Sequence, residues 1–205
     1  MIGVDEVGRG CLAGPLLVVA ARAYDELPAG VKDSKLLSRK QREEILNKLS
    51  ICCEFGEGWV KAVEIDRYGL ANALRLGVRR ALASLKAEID EEIIMDGSVN
   101  YIPKKFKRAG CLIGGDNLVP IISAASIYAK VARDCFMIEL AARHPGYQFD
   151  SHVGYGTKAH MLALKQFGAL KYVHRHTFLP VAELGDLSLK LPNKDLAPSG
   201  LSPSF

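Results

Sequence analysis

Several features that define other protein classes are missing from this chain of 205 residues. No stretch approaches about 18 uninterrupted apolar residues, which argues against a transmembrane helix. The first apolar run, 12–21, follows acidic residues and contains Pro15, so the N-terminus does not match a signal peptide. The cysteines are odd in number and form no Cys-x-x-Cys pair, which argues against a disulfide framework or a zinc site. We therefore predict a cytoplasmic protein that uses its thiols as small buried hydrophobic groups.

The composition is that of an ordinary globular protein. Apolar residues make up 49% and charged residues 24% of the chain, which excludes a wholly disordered or collagen-like chain. We expect one folded domain over residues 1–189. Residues 190–205 are rich in proline and serine, and we expect a flexible tail there.

The positive charge is concentrated in two segments. The net charge is only +4 at pH 7, yet Tyr101–Gly115 and Ser151–Ala182 contain lysine or arginine and no acid. Such segments suit an anionic partner such as nucleic acid. A basic face that is simply solvated is the alternative.

The hydrophobic pattern alternates between strand-like and helix-like segments, which predicts a mixed α/β fold. Strands are predicted at 1–5, 15–24, 51–60, 93–95 and 111–113. Helices are predicted at 38–49, with Ser38 as the N-cap, and at 66–86, 120–143 and 157–167.

Acidic residues stand at the ends of three predicted strands: Asp5, Asp96 and Asp116. Strand carboxyl ends are where functional groups collect in open α/β sheets. Glu6 can join Asp5 at one site only if the strand ends or distorts there, because neighbours in a strand point to opposite faces. Oxygen ligands without a Cys/His cluster favour Mg²⁺ or Mn²⁺, and two such ions serve phosphoryl displacement. The alternative for each acid is a turn-forming or capping role.

Short motifs of glycine, acidic and basic residues follow one another between residues 2 and 180. They are DEVGRG at 5–10, LAGP at 12–15, DSKLLS at 33–38, MDG at 95–97, GD at 115–116, ISAASI at 122–127, AKVARD at 129–134, GYGT at 154–157 and HRHTF at 174–178. In this order they resemble the ribonuclease HII (type 2 ribonuclease H) family.

The resemblance implies a ribonuclease H-like fold, in which helices flank a mixed five-stranded sheet and a helical part follows at the C-terminus. It also implies an endoribonuclease of DNA replication and repair. Such an enzyme hydrolyses RNA in RNA/DNA hybrids and cuts 5′ of single ribonucleotides in duplex DNA. It leaves 3′-hydroxyl and 5′-phosphate ends, using two ions of Mg²⁺ or Mn²⁺. The implied catalytic metal ligands are Asp5, Glu6, Asp96 and Asp116.

The resemblance also implies residues that bind the substrate. Gly8, Arg9, Gly10 and Tyr155 would recognise the ribonucleotide. Glycines let the backbone approach a ribose closely, and exposed backbone groups can then bind the 2′-hydroxyl. Phosphate contacts are implied for Ser34, Lys35, Lys158 and Arg175.

Asp134 is the one acid with two interpretations. It shares a predicted helix face with Ser126 and Lys130. An ion pair between Lys130 and Asp134 is the simpler interpretation, and an auxiliary role in catalysis is the other. None of the five histidines stands beside an acidic motif, so none receives a role.

Two other function classes have to be weighed. A non-catalytic nucleic-acid-binding module would use its acids structurally. A phosphotransferase would need a phosphate-binding loop, and the sequence contains no Gly-x-x-x-x-Gly-Lys-Ser/Thr run. We expect a monomer that binds nucleic acid and has no membrane partner.

Overall fold

A five-stranded mixed sheet forms the centre of the protein in a computed structural model that describes residues 1–31 and 37–184. The strands are β1 (Ile2–Val7), β2 (Leu16–Ala23), β3 (Cys53–Val60), β4 (Ile93–Asp96) and β5 (Ala109–Leu112). The helices are α1 (Arg39–Cys52), α2 (Ala62–Tyr68), α3 (Leu70–Ser84), α4 (Gly115–Leu118), α5 (Pro120–Arg143), α6 (Phe149–His152), α7 (Lys158–Phe167) and α8 (Leu179–Ala182).

The sheet has the strand order β3-β2-β1-β4-β5. The pairs β1–β2 and β2–β3 are antiparallel, whereas β1–β4 and β4–β5 are parallel. The carboxyl ends of β1, β4 and β5 therefore lie at the same edge of the sheet. The predicted α/β fold with a mixed five-stranded sheet is confirmed.

Helices cover both faces of the sheet because the strand side chains alternate between two apolar clusters. On one face, Val18 of β2 packs in a cluster with Val78 and Leu82 of α3. On the opposite face, Val19 packs in a cluster with Ala125 of α5. All five side chains are buried, which stabilises the layers by removing apolar surface from water.

Helix α5 approaches β1 closely because residue 3 has no side chain. A Cβ atom added to Gly3 would lie 2.5 Å from the carbonyl carbon of Ile121. Asp5 follows Gly3 on the same face of β1. The close approach therefore places α5 directly against Asp5.

The observed helix boundaries agree best with the predicted ones where a proline or a capping residue marks the helix start. Helix α5 spans the predicted residues, with Pro120 in its first turn, and Ser38 caps α1 through the amide of Gln41. The single helix predicted over 66–86 is wrong. Gly69 adopts φ +74, a left-handed conformation that interrupts the helix and separates α2 from α3.

The C-terminal helices pack against the second half of α5. Met137 and Leu140 of α5 share a buried cluster with Tyr147, Phe149 and Ala163. This arrangement agrees with the helical part implied by the resemblance. The expected tail, residues 190–205, lies outside the described residues.

The cysteines follow the prediction only in part. Cys11, Cys52 and Cys53 are buried, but Cys111 is half-buried and Cys135 is exposed. The prediction of a buried thiol is wrong for Cys135, which lies on the outer side of α5. Within the described ranges, no helix combines the length and apolar character needed to cross a membrane.

Candidate active site

The carboxyl ends of β1 and β4 bring two acidic residues side by side. The two strands are parallel, and their last paired residues are Val4 and Met95. The residues that follow are Asp5 and Asp96, so both carboxylates stand at the same edge of the sheet. The register thus brings together two of the acids selected from the sequence.

Asp5 is buried, and its surroundings disfavour the charged form. The pKa of Asp5 is raised to about 8, mainly by burial and in smaller part by the charges of Glu6 and Asp96. Hydrogen bonds from Ser126 of α5 and from the backbone N–H of Glu6, at 2.8 Å, oppose this shift in part. Without a cation, Asp5 is therefore largely protonated at pH 7.

Glu6 lies on the opposite face of β1 and still interacts with the same acids. The strand was expected to end or distort at Asp5, but it continues in regular pairing to Val7. Burial raises the pKa of Glu6, Arg9 lowers it and the charge of Asp96 raises it. Arg9 forms an ion pair with Glu6 at 3.5 Å. The charge of Asp96 therefore raises the pKa of both neighbouring acids, although the strand stays regular and keeps Glu6 on the opposite face from Asp5.

Asp96 and Asp116 are linked through the first turn of α4. The backbone N–H of Gly115 donates to Oδ1 of Asp96 at 2.7 Å. Asp116 is the next residue; it is buried, and Nδ2 of Asn117 donates to its Oδ1 at 3.1 Å. The hydroxyl of Ser123 in α5 donates to the Asp116 carbonyl. We refer to Asp5, Glu6, Asp96 and Asp116 as the carboxylate edge.

The carboxylate edge suits a hard divalent cation, because its donors are oxygens and include no sulfur. The buried Oε2 atom of Glu6 has no hydrogen-bond partner among the described residues. Over residues 1–31 and 37–184, no three His, Cys, Asp or Glu side chains are grouped closely enough to hold a metal ion. Like charges repel one another without a cation, so these side chains would have to draw together when one binds.

A glycine turn follows directly after β1. Gly8 has φ +85, and a Cβ atom there would lie 2.3 Å from Nε of Arg133, so only glycine fits. A Cβ atom at Gly10 would meet no atom within 4 Å. The side chain of Arg9, between them, is 54% exposed. The turn therefore presents its backbone and one cation next to the carboxylate edge.

Tyr155 lies on a second loop that is bonded to the first. The backbone N–H of Leu12 donates to the Gly154 carbonyl at 2.8 Å. The Tyr155 ring is 41% exposed, and burial of the remainder raises the pKa of its hydroxyl. Lys158 is exposed at the start of α7. The two segments selected for ribonucleotide recognition are therefore adjacent.

The structure contradicts the phosphate contact expected of Arg175. The side chain is fully buried, and its guanidinium donates to the carbonyls of Gly8, Arg9 and Gly14. A buried cation whose donors are occupied in this way cannot meet a phosphate at the surface.

Asp134 takes part in the ion pair favoured from the sequence. Its Oδ2 lies 3.7 Å from Nζ of Lys130 and 3.9 Å from Nη2 of Arg42 in α1. The two remaining phosphate-binding candidates, Ser34 and Lys35, lie outside the described residues.

Sequence reasoning missed three groups at or near this site. Ser126 lowers the pKa of Asp5, whereas the sequence indicated only its place on the helix face shared with Lys130. Arg133 is fully buried beneath the glycine turn. Its burial could not be predicted, because a charged residue in a helix is normally expected on the surface. A histidine cluster also forms, from His152, His160 and His174.

A mixed sheet in this order, with acids towards the carboxyl ends of β1 and β4, is the ribonuclease H-like fold. The chain belongs to the ribonuclease HII family, because the family model described as Ribonuclease HII matches residues 2–181. It is thus a ribonuclease H, an endonuclease that hydrolyses phosphodiester bonds. This membership sets aside the binding module and the phosphotransferase.

Individual relatives support the assignment. The Ribonuclease HII of Ehrlichia ruminantium (strain Welgevonden) is 40% identical over 190 residues, covering 90% of this chain and 87% of that protein. The crystal structure of ribonuclease H2 from Pyrococcus horikoshii OT3 matches with a TM-score of 0.74 and 27% identity, covering 93% of this chain and 99% of that one. The crystal structure of Bst-RNase HIII in complex with Mn²⁺ has a TM-score of 0.65, 19% identity and coverage of 93% and 70%, and shows the fold alone.

Proposed function

We propose that this enzyme hydrolyses RNA in RNA/DNA hybrids and cuts 5′ of single ribonucleotides in duplex DNA, leaving 3′-hydroxyl and 5′-phosphate ends. One observation carries the proposal. Asp5, Glu6 and Asp96 interact electrostatically at one sheet edge, and the first two have raised pKa values. Such mutual repulsion is relieved when a divalent cation binds.

The four acids of the carboxylate edge would hold two ions of Mg²⁺ or Mn²⁺. When bound, such ions supply an activated water and stabilise charge on the departing 3′-oxygen. Hydrogen bonds from the backbone N–H groups of Glu6 and Gly115 orient Asp5 and Asp96 for this task. No protein side chain is then required as the general base.

Recognition of the ribonucleotide is assigned to the two adjacent loops. The turn Gly8–Arg9–Gly10 leaves backbone groups open to a 2′-hydroxyl, which distinguishes RNA from DNA. Tyr155 would stack its half-exposed ring on a sugar or base. Lys158 would hold a phosphate, as would Ser34 and Lys35, while Asp134 has at most an auxiliary role. We further propose that the protein acts as a cytoplasmic monomer in the removal of ribonucleotides from DNA.

A cleavage assay with two substrates tests the proposal. One substrate is a labelled DNA duplex with a single ribonucleotide, and the other is an RNA/DNA hybrid. Each is incubated with Mg²⁺, with Mn²⁺ or with a chelator, and the product ends are mapped by ligation and phosphatase treatment. Cleavage 5′ of the ribonucleotide that requires a divalent ion is expected. Cleavage of neither substrate, or cleavage that survives chelation, would reject the proposal.

A further inference from the structure

The segment Val173–Arg175 is bonded to the glycine turn along its backbone. The carbonyl of Val173 accepts from the N–H of Gly14 at 2.8 Å. The N–H of Arg175 donates to the carbonyl of Leu12, also at 2.8 Å. This segment, 160 residues further along the chain, thus runs beside the loop that follows β1.

The guanidinium of Arg175 reaches under the turn and binds its carbonyl groups. Nη2 donates to Gly8 at 2.6 Å, and Nη1 donates to Arg9 at 3.0 Å. Nε and Nη2 both donate to Gly14, at 3.2 and 3.1 Å. Burial lowers the pKa of Arg175 to about 10, so the group remains charged at pH 7. The donors of the planar guanidinium are spread over three nitrogens and reach three carbonyls, whereas a lysine ammonium has its three donors on one nitrogen.

These bonds determine which way the peptide groups of the turn face. In a trans peptide, the C=O of one residue and the N–H of the next point in opposite directions. The carbonyls of Gly8 and Arg9 both face the buried guanidinium. The N–H groups of Arg9 and Gly10 therefore face away from Arg175, where a sugar hydroxyl can accept from them.

We infer that Arg175 is a positioning residue that fixes the Gly8–Arg9 and Arg9–Gly10 peptide groups and thereby sets the preference for a ribonucleotide over a deoxyribonucleotide. The inference rests on the proposed function, because it needs the turn to meet the 2′-hydroxyl. Arg175 thus has a different role from the phosphate contact expected from the sequence. It acts on the substrate indirectly, by holding the backbone of Gly8 and Arg9.

Arg133 provides a matched control for the effect of removing a buried arginine. It is equally buried, and it also donates to main-chain carbonyls, those of Ala13, Pro15 and Val153, at 2.9 to 3.2 Å. None of these carbonyls belongs to the two peptide groups in question. Its Nε packs beneath Gly8 but bonds neither peptide group. Arg133→Lys should therefore cost similar stability while the carbonyls of Gly8 and Arg9 stay bonded to Arg175.

The test measures binding in an Asp96→Asn background, which keeps the substrate intact. Fluorescence anisotropy gives the Kd of a DNA duplex with one ribonucleotide and of the same duplex without it. The ratio of the two constants is the readout, because an unfolded fraction of protein changes both constants equally. With Arg175→Lys, we expect the preference for the ribonucleotide to fall about tenfold, the effect of one or two lost hydrogen bonds. Binding of the all-DNA duplex should stay the same, and Arg133→Lys should keep the parent ratio.

Two results would overturn the inference: an unchanged ratio with Arg175→Lys, or an equal loss with Arg133→Lys. If Arg175→Lys does not yield folded protein, Arg175→Gln retains two donors and is judged by the same ratio. Failure of the proposed function gives a different result. The wild type would then not cleave the ribonucleotide duplex with Mg²⁺, and Asp96→Asn alone would show no preference.

Discussion

The carboxylate edge and the histidine cluster both bury titratable side chains, but only the cluster satisfies all of their hydrogen-bonding groups. At the edge, neighbouring acids repel one another, and the buried Oε2 of Glu6 has no partner among the described residues. In the cluster, Nε2 of His160 lies 3.1 Å from Nε2 of His174, and His160 Nδ1 donates to the Tyr155 carbonyl at 2.9 Å.

The tautomers in the cluster follow from these partners. Nδ1 of His174 accepts from the Leu170 N–H at 2.8 Å, so its proton is on Nε2 and is donated to His160. His152 accepts from Gly154 at Nδ1 and donates from Nε2 to a carbonyl. Burial lowers the pKa of His160 to about 4 and that of His174 to about 3, so the rings are neutral. A closed set of hydrogen bonds supports the structure, whereas an unsatisfied set is ready to bind a ligand.

The largest expected effect is at the edge. Asp96→Asn removes a ligand of the proposed ions, and we expect cleavage to fall by at least about a thousandfold. The same change removes a repulsive charge next to Asp5 and Glu6, so the melting temperature should stay the same or rise. Turnover and thermal unfolding measured on one preparation test both statements. Retained turnover with Mg²⁺ would contradict the site.

In the cluster, the expected effect is on stability. His174→Leu leaves the Leu170 N–H without its acceptor and His160 Nε2 without its donor. We expect the free energy of unfolding to fall by about 3 kcal/mol, measured by urea denaturation. The exposed His176, two residues away, is the control. His176→Leu should change the free energy of unfolding by less than about 0.5 kcal/mol. Equal losses of unfolding free energy in His174→Leu and His176→Leu would show that the buried histidine cluster does not stabilise the fold.

The two regions should also respond to pH with opposite signs. The pKa values of His160 and His174 are lowered by folding, so they stabilise the protein above pH 6.5 and lose this effect as the pH falls towards 4. The pKa of Asp5 is raised, so the metal-free protein loses stability as the pH rises from about 4 towards 8. Each group contributes about 1.4 kcal/mol per pH unit within its window.

Asp5→Asn separates the two contributions. Without the acid, the unfolding free energy in metal-free buffer should rise more steeply between pH 4.5 and 6.5 than in the wild type, by about 1.4 kcal/mol per unit. Urea denaturation at several pH values measures the slopes. Identical slopes would show that Asp5 titrates normally.

The smallest expected effect is at the surface where the two regions meet. Tyr155 receives a hydrogen bond from the cluster at its carbonyl, while its ring is open to the substrate. Tyr155→Ala should lower cleavage at a single ribonucleotide by about tenfold, the value of one lost aromatic contact. Tyr155→Phe keeps the ring and should lose less. Equal rates in all three proteins would remove Tyr155 from recognition.

The sequence was most informative where one residue determines local geometry. Pro120 marks the start of α5, and the acids that follow apolar runs mark the edge of the sheet. The break at Gly69 was missed because the apolar repeat, which starts at Ala71, lies wholly after it and places no boundary before it. Nothing local shows that Arg175 is buried, because its partners are about 160 residues earlier in the chain. The histidine cluster was missed for the same reason.

Helix α5 contacts both halves of the proposed reaction. Ser126 lowers the pKa of Asp5, and Arg133, seven residues later, lies under the glycine turn. Seven residues span about 10 Å of helix, which is a fixed distance as long as the helix stays straight. A bend between them would shift the surroundings of Asp5 at one end and the packing beneath Gly8 at the other in a single movement. The mechanical stiffness of this one helix therefore holds the carboxylate edge and the glycine turn at a fixed separation.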